Sequence, residues 1–161
     1  MFDSKFGAAE VIEMAKDIEK RGQEFYEIRA EKTDNQELKD LLLRLASDEK
    51  DHYQRFTELA NQFELESKEN SYVYNEEVSA YLNALVEFAV FPVEGRIDKQ
   101  LEEMSVGDVL GIAIRAEKDS ILFYQEMLEH NQGRTAGVIK KLIDEEKGHL
   151  LDLVRMDARL Q

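Results

Sequence analysis

The 161-residue sequence contains no cysteine, no tryptophan and a single proline. Without cysteine there is no disulfide, no zinc ribbon, no thiolate-bound iron–sulfur cluster and no thiol catalysis. An iron centre held by four thiolates is excluded for the same reason. One proline and eight glycines leave few points at which a helix must break. These scarcities favour long, uninterrupted helices.

Positive charge is also scarce, since 21 Lys and Arg residues face 35 Asp and Glu residues, for a net charge of −14. Nucleic acids and anionic membranes need basic patches, so we expect neither as a partner. No apolar run approaches the length of a membrane span, and the N-terminal ten residues contain no signal-peptide core. The sequence predicts a soluble, cytoplasmic protein with one domain over residues 1–161.

Apolar residues recur at alternating spacings of three and four in four long segments, which predicts four amphipathic helices. Their expected bounds are about 5–31, 35–66, 105–131 and 135–158. Asp34 with Glu37, and Ser105 with Asp108, have the spacing of capping boxes at two helix starts. Gly133 is a candidate left-handed C-cap for the helix that precedes it.

A shorter helix is predicted at about 76–91, between the second and third long helices. It is apolar on more than one face, so it should pack either across the bundle or against a second subunit, and we expect a homodimer. Short turns make neighbouring helices antiparallel, and alternating spacing of three and four is typical of left-handed bundles. The expected fold is all-α: a left-handed four-helix bundle with a long helical crossover.

The two halves of the chain repeat one another. EKRGQEFY and SDEKDH occur in the first half, and EKDSILFY and DEEKGH occur in the second. The first glutamate and the tyrosine are seven residues apart in both copies, and the distance to the next motif's glutamate is 30 residues in one half and 29 in the other. This pattern indicates a duplicated helical hairpin.

Six polar side chains lie on the inward stripes at one level: Glu19, Glu49, His52, Glu117, Glu146 and His149. A carboxylate and an imidazole at positions i and i+3 share one helix face. Burying an unpaired carboxylate costs several kcal/mol. No Lys or Arg lies on these stripes at the same level to neutralise the four glutamates. Two divalent cations would balance the four carboxylates. Such ligands suit iron or manganese, and zinc also remains open.

Neighbouring side chains can support these ligands. The hydroxyls of Tyr26 and Tyr124 can bond ligand carboxylates, although the two residues also fit an amphipathic core. Asp48 and Glu145 can accept an N–H bond from a histidine of the opposite half, or they can face solvent. His130 is interpreted as a partner of the helix dipole and not as a ligand.

At these residues the chain resembles the rubrerythrin branch of the ferritin-like di-iron carboxylate superfamily, whose pattern is one Glu from each of two helices and Glu-x-x-His from each of the other two. The resemblance covers both hairpins, about two thirds of the chain. It implies a four-helix bundle with a carboxylate-bridged di-iron centre that reacts with peroxide or oxygen, and it implies the six residues above as ligands. Two features depart from the family: there is no cysteine for a rubredoxin domain, and Ser120 stands where an extra glutamate is common.

The leading interpretation is a non-haem di-iron oxidoreductase of oxidative stress, which reduces peroxide or O2 with electrons from a separate donor protein. The alternative is an iron-binding, ferroxidase or storage protein of ferritin type, because six ligands alone are closer to bacterioferritin. Storage needs a large hollow assembly, however. The five methionines show no pairing that would indicate axial ligands of a haem, as in bacterioferritin. A third interpretation, an interaction protein with an inactive site, is disfavoured by the complete ligands in both halves.

Overall fold

The computed structural model of the protein describes residues 5–66, 73–88, 91 and 104–161. These residues form five helices and no strand: α1 (Ala8–Lys32), α2 (Gln36–Glu66), α3 (Glu76–Phe88), α4 (Val106–Glu129) and α5 (Gly133–Leu160). The predicted all-α fold with a helical crossover is therefore confirmed. Among the described residues, no helix has the length and apolar character that crossing a membrane requires.

Helix α1 begins three residues later than predicted, because the segment before it has other partners. The N–H of Phe6 donates to Oγ of Ser79 at 3.1 Å, and the carbonyl of Phe6 accepts from the N–H of Tyr74 at 2.9 Å. Gly7 and Val73 form an isolated antiparallel bridge. The first residues of the described chain are thus tied to the start of α3.

The predicted cap of α2 is wrong by one residue. Oδ1 of Asn35, and not the side chain of Asp34, accepts the N–H of Leu38 at 2.9 Å, so Asn35 satisfies one of the free donors at the helix start. At α4 the predicted box is confirmed, since Oγ of Ser105 accepts the N–H of Asp108 at 3.1 Å and the carboxylate of Asp108 accepts in return.

The end of α4 also differs from the prediction. Helix α4 ends at Glu129, with His130 as its C-cap. Gly133 does adopt the left-handed conformation, with φ of 61°, but it opens α5 instead of closing α4. Three residues between the helices are enough for the turn, so α4 and α5 form a tight hairpin.

Helix α3 ends at Phe88, before the predicted limit of 91, and residues 89 and 90 lie outside the described chain. Leu82 and Leu85 are buried in the core, and Tyr81 is 40% exposed. The helix therefore uses one face across the bundle, where it contacts α4. Whether its other face meets a second subunit stays a prediction.

Two apolar clusters fill the bundle. The first joins the N-terminal halves of α1 and α5 to the C-terminal halves of α2 and α4, and it includes Ile12, Phe56 and Leu142. The second joins the opposite ends and includes Leu42, Leu110 and Leu153. This arrangement requires α2 and α4 to run parallel, so the chain between them crosses the length of the bundle. Between the two clusters lies a layer of polar side chains.

Candidate metal centre

The polar layer is formed by the six side chains that the sequence places on the inward stripes. Each is between 0% and 4% exposed, and each of the four long helices contributes to the layer: Glu19 from α1, Glu49 and His52 from α2, Glu117 from α4, Glu146 and His149 from α5. The structure thus brings all six together. Their role as metal ligands stays a prediction.

The layer divides into two overlapping groups with ligand atoms close enough to surround an ion. One group contains Glu19, Glu49, His52 and Glu146, and the other contains Glu49, Glu117, Glu146 and His149. Within each group the ligand atoms lie within 4.8 Å of one another. Glu49 and Glu146 belong to both groups, so these two carboxylates could be shared by two metal ions.

Both histidines direct Nδ1 at the carboxylates of this layer. Nδ1 of His52 lies 2.9 Å from Oε1 of Glu146 and 3.4 Å from Oε2 of Glu19. Nδ1 of His149 lies 3.0 Å from Oε2 of Glu146 and 3.3 Å from Oε1 of Glu49. The two imidazole rings are stacked, with centroids 5.4 Å apart. Nδ1 of His52 therefore faces the carboxylates of one group, and Nδ1 of His149 faces those of the other.

The other imidazole nitrogen is held by a carboxylate of the opposite half. Nε2 of His52 is 2.9 Å from Oε2 of Glu145, and Nε2 of His149 is 3.2 Å from Oδ2 of Asp48. A proton on Nε2 that is donated to these oxygens leaves the lone pair of Nδ1 available to a metal ion. Asp48 and Glu145 thus lie where the sequence-based interpretation placed histidine acceptors.

The two buried tyrosines also connect the halves. The hydroxyl of Tyr26 donates to Oε1 of Glu117, and the hydroxyl of Tyr124 donates to Oε1 of Glu19. Burial, followed by the negative charge of these glutamates, raises the pKa of both tyrosines well above its ordinary value. Each hydroxyl therefore keeps its proton and orients one carboxylate, while the second oxygen of that carboxylate stays free.

The side chains fit a pair of cations. Five buried atoms of the layer lack a hydrogen bond of good geometry, even where an imidazole and a carboxylate lie close together: Oε2 of Glu19, Oε1 of Glu49, Nδ1 of His52, Oε2 of Glu117 and Oε1 of Glu146. Buried polar atoms are rarely left without a partner, because each costs about 1–3 kcal/mol. These atoms face one another across the layer and are all electron-pair donors, as metal ligands must be.

Without metal, protons must relieve the crowding of charge. Burial raises the pKa of Glu49 and Glu117 well above the usual value, and the neighbouring carboxylates raise it further. Burial lowers the pKa of His52, but contact with Glu146 and Glu19 outweighs it and raises that pKa to about 11. Burial would raise the pKa of Glu146, yet hydrogen bonds from the two histidines lower it below the usual value. In the metal-free protein, bound protons thus neutralise the carboxylates that metal cations would otherwise neutralise.

The sequence-based interpretation missed two contacts that shape the layer. Nη1 of Arg55 lies 2.8 Å from Oε2 of Glu145, the oxygen that also contacts His52. A Cβ atom on Gly22 would lie 2.9 Å from the ring of Phe91 and 3.0 Å from Oε2 of Glu49. Helical spacing could have placed Arg55 one turn beyond His52. The approach of Phe91 from a distant segment has no local sequence signal.

A third cluster with ligand-like atoms lies outside the layer, at the end of α4. It consists of Glu126, Glu129 and His130, which are exposed or only partly buried. Nε2 of His130 is already 3.1 Å from Oε1 of Glu126, and the His130 ring contacts that of Tyr74. These contacts account for His130 without a metal ion.

Comparisons with known proteins agree with this geometry. The family model described as Rubrerythrin matches residues 10–156. A Thermotoga maritima protein of known crystal structure, provisionally described as a ferritin-like diiron-carboxylate protein, has a TM-score of 0.78 and 26% sequence identity, and the match covers 98% of each chain. No curated protein sequence matches the chain.

Proposed function

The chain belongs to the rubrerythrin family, and on that premise we propose that it is a di-iron oxidoreductase which reduces hydrogen peroxide or O2. The observation that carries the proposal is the pair of overlapping ligand groups that share Glu49 and Glu146. The Thermotoga maritima relative, described as a diiron-carboxylate protein, supports iron as the metal. Manganese and zinc are the other candidates by ligand type.

Six residues would hold the two ions: Glu19, Glu49, His52, Glu117, Glu146 and His149. Bound iron would supply electrons to the oxidant, and reduction of one peroxide to two waters takes two electrons and two protons. The chain's own residues do the rest. Tyr26 and Tyr124 fix the carboxylates that belong to only one group, and the apolar clusters on either side exclude bulk water.

Protons reach this buried layer most directly through the partly exposed carboxylates. The side chains of Glu145 and Asp48 are 32% and 42% exposed, and each contacts an imidazole that is nearly inaccessible. These two residues therefore connect Nε2 of His52 and of His149 with solvent. A separate donor protein is the proposed source of electrons, since the sequence contains no cysteine with which to bind an iron–thiolate centre. A homodimer is the proposed assembly, with the exposed face of α3 at the contact.

The test is stopped-flow absorbance after anaerobic loading with Fe(II). We expect ultraviolet and visible bands of ferric carboxylate to appear on mixing with peroxide or O2. The double variant Glu49→Ala with Glu146→Ala should bind little iron, whereas His130→Gln, which changes a residue outside the layer, should behave as the wild type. No spectral change in the iron-loaded wild type would rule out the redox function.

The second candidate is ferroxidation in the service of iron storage. Ser120 favours it, because this buried side chain supplies only a hydroxyl, which donates to the carbonyl of Ala116 at 3.0 Å. The layer thus has six ligands and no seventh carboxylate at this position. Size-exclusion chromatography separates the two candidates, since storage requires a ferritin-sized particle and the oxidoreductase requires only a dimer.

A further inference from the structure

The duplicated halves differ three residues after each histidine of the layer. Arg55 follows His52, and Asp152 follows His149, so equivalent positions carry opposite charge. These positions lie one helical turn from the histidines, where the acceptors of the two imidazole N–H groups are found. The difference therefore bears on how firmly each acceptor is held.

The acceptor of His52 is restrained by a cation. Oε2 of Glu145 lies 2.9 Å from Nε2 of His52 and 2.8 Å from Nη1 of Arg55. Nη2 of Arg55 is in turn 2.5 Å from Oδ2 of Asp51. The guanidinium is thus fixed by two carboxylates, and it holds Glu145 against the imidazole.

The acceptor of His149 has no such restraint. Oδ2 of Asp48 lies 3.2 Å from Nε2 of His149, and no lysine or arginine of the described chain forms an ion pair with Asp48. The equivalent of Arg55 is Asp152, which pairs instead with Arg44 at 2.8 Å. The side chain of His149 is also slightly more exposed than that of His52, at 5% against 1% of the side-chain surface.

Charge alone does not separate the two positions. Asp51, Arg55 and Glu145 carry −1, +1 and −1, which sums to −1, and Asp48 by itself also carries −1. Each imidazole therefore has a nearby group of the same net charge. What differs is how far the acceptor carboxylate can move. A carboxylate that is already held in place loses less conformational entropy when metal binding fixes the orientation of the histidine.

We propose that Arg55 is a positioning residue which acts through Glu145 and makes the two metal positions unequal. The position around His52 binds the first ion more tightly, and the position around His149 fills second and exchanges faster. This inference rests on the proposed two-metal site. The shared carboxylates Glu49 and Glu146 contribute to both positions and do not distinguish them.

The experiment is a titration of the metal-free protein with Zn(II), followed by nuclear magnetic resonance of ¹⁵N-labelled imidazoles. Only three histidines are present, so the resonances can be assigned with single variants. The first equivalent should move the signals of His52, the second those of His149, and His130 should stay unchanged. Movement of His149 first, or of both histidines together, would overturn the proposal.

Variants test the part that Arg55 plays. Arg55→Gln should lower the affinity for the first Zn(II) by about 10-fold and abolish the order of filling. Arg55→Lys, which keeps a cation beside Glu145, should preserve the order. Arg44→Gln is the matched control, because it breaks another 2.8 Å ion pair between α2 and α5 that contacts neither imidazole. An unchanged first affinity in Arg55→Gln would refute the inference.

The outcomes also separate this inference from the function on which it rests. If the wild-type protein binds no Zn(II) in the layer, the two-metal site and the proposed function fall together. If it binds two ions in the wrong order, or if Arg55→Gln keeps the order, only the role of Arg55 is refuted.

Discussion

Binding of two metal ions should release about four protons from the chain near pH 7, because metal ligands must be deprotonated. In the metal-free protein, burial raises the pKa of Glu49 and Glu117 well above the usual value. Contact with Glu146 raises the pKa of His52 to about 11 and raises that of His149 as well, in each case against the lowering effect of burial. Each of the four groups therefore carries a proton that the metal must displace.

The sign of the pH dependence follows from these shifts. For all four groups the folded-state pKa lies above the unfolded one, so the stability that they give the metal-free fold is present below the unfolded pKa and is lost as the pH rises. Glu146, whose pKa is lowered, acts oppositely but only below pH ~5. Above about pH 6, metal-free stability should fall as the pH rises, by at most about 1.4 kcal/mol per pH unit for a group that is protonated in the folded state and deprotonated in the unfolded state.

Two assays check this reasoning. Proton release can be counted with a pH indicator in weak buffer during Zn(II) titration, and metal-free stability can be measured by urea unfolding across the same pH range. Metal affinity should rise with pH, opposite to metal-free stability. His130→Gln should release the same number of protons as the wild type. Release of fewer than about two protons, or metal-free stability that increases towards pH 9, would refute the assignment of protons to the layer.

Three further predictions concern single side chains, each measured by thermal or urea unfolding. Tyr26→Phe should cost about 1–3 kcal/mol, because it leaves a buried carboxylate oxygen without its donor. Gly22→Ala should cost about 1–3 kcal/mol through overpacking, whereas Gly111→Ala, in open space on α4, should stabilise by about 0.5–1 kcal/mol. Leu42→Ala should cost about 2–5 kcal/mol, while Leu43→Ala, at a side chain 48% exposed, should change stability by less than about 0.5 kcal/mol. Equal effects within either pair would contradict the burial that separates them.

The bundle was predictable because its signals are local and repeated. Every residue on the predicted stripes of α1, α2 and α5 is buried, including Glu19, His52 and His149. On α4, Ile114 and Leu128 of the predicted stripe are only partly buried, whereas their neighbours Ala113 and Met127 are buried, so the inward face is rotated from the prediction. The alternation of three and four residues predicts a helix face well, since it depends only on helical geometry.

The details that sequence could not supply depend on contacts between distant segments. The start of α1 is set by hydrogen bonds from the backbone of Phe6 to Tyr74 and Ser79, at and just before the start of α3, about 70 residues away in the chain. The packing of Phe91 on Gly22, and the link of Arg55 to Glu145, likewise join separate segments. Such pairings leave no periodic pattern in the sequence. The cap of α2 differs from the prediction by one residue because two neighbouring polar side chains, Asp34 and Asn35, can each act as an N-cap.

The supporting bonds that the two tyrosines, Glu145 and Asp48 make to the ligands all run from one hairpin to the other. Tyr26 contacts Glu117, Tyr124 contacts Glu19, and His52 and His149 contact Glu145 and Asp48. A single hairpin therefore holds half of a site and none of its supporting bonds. Two separate identical hairpins would have to pair to complete the site and would carry the same residue at equivalent positions, whereas one chain with both hairpins can change a residue in one half alone. The charge reversal between Arg55 and Asp152 is a change of that kind, which two identical chains could not have accommodated.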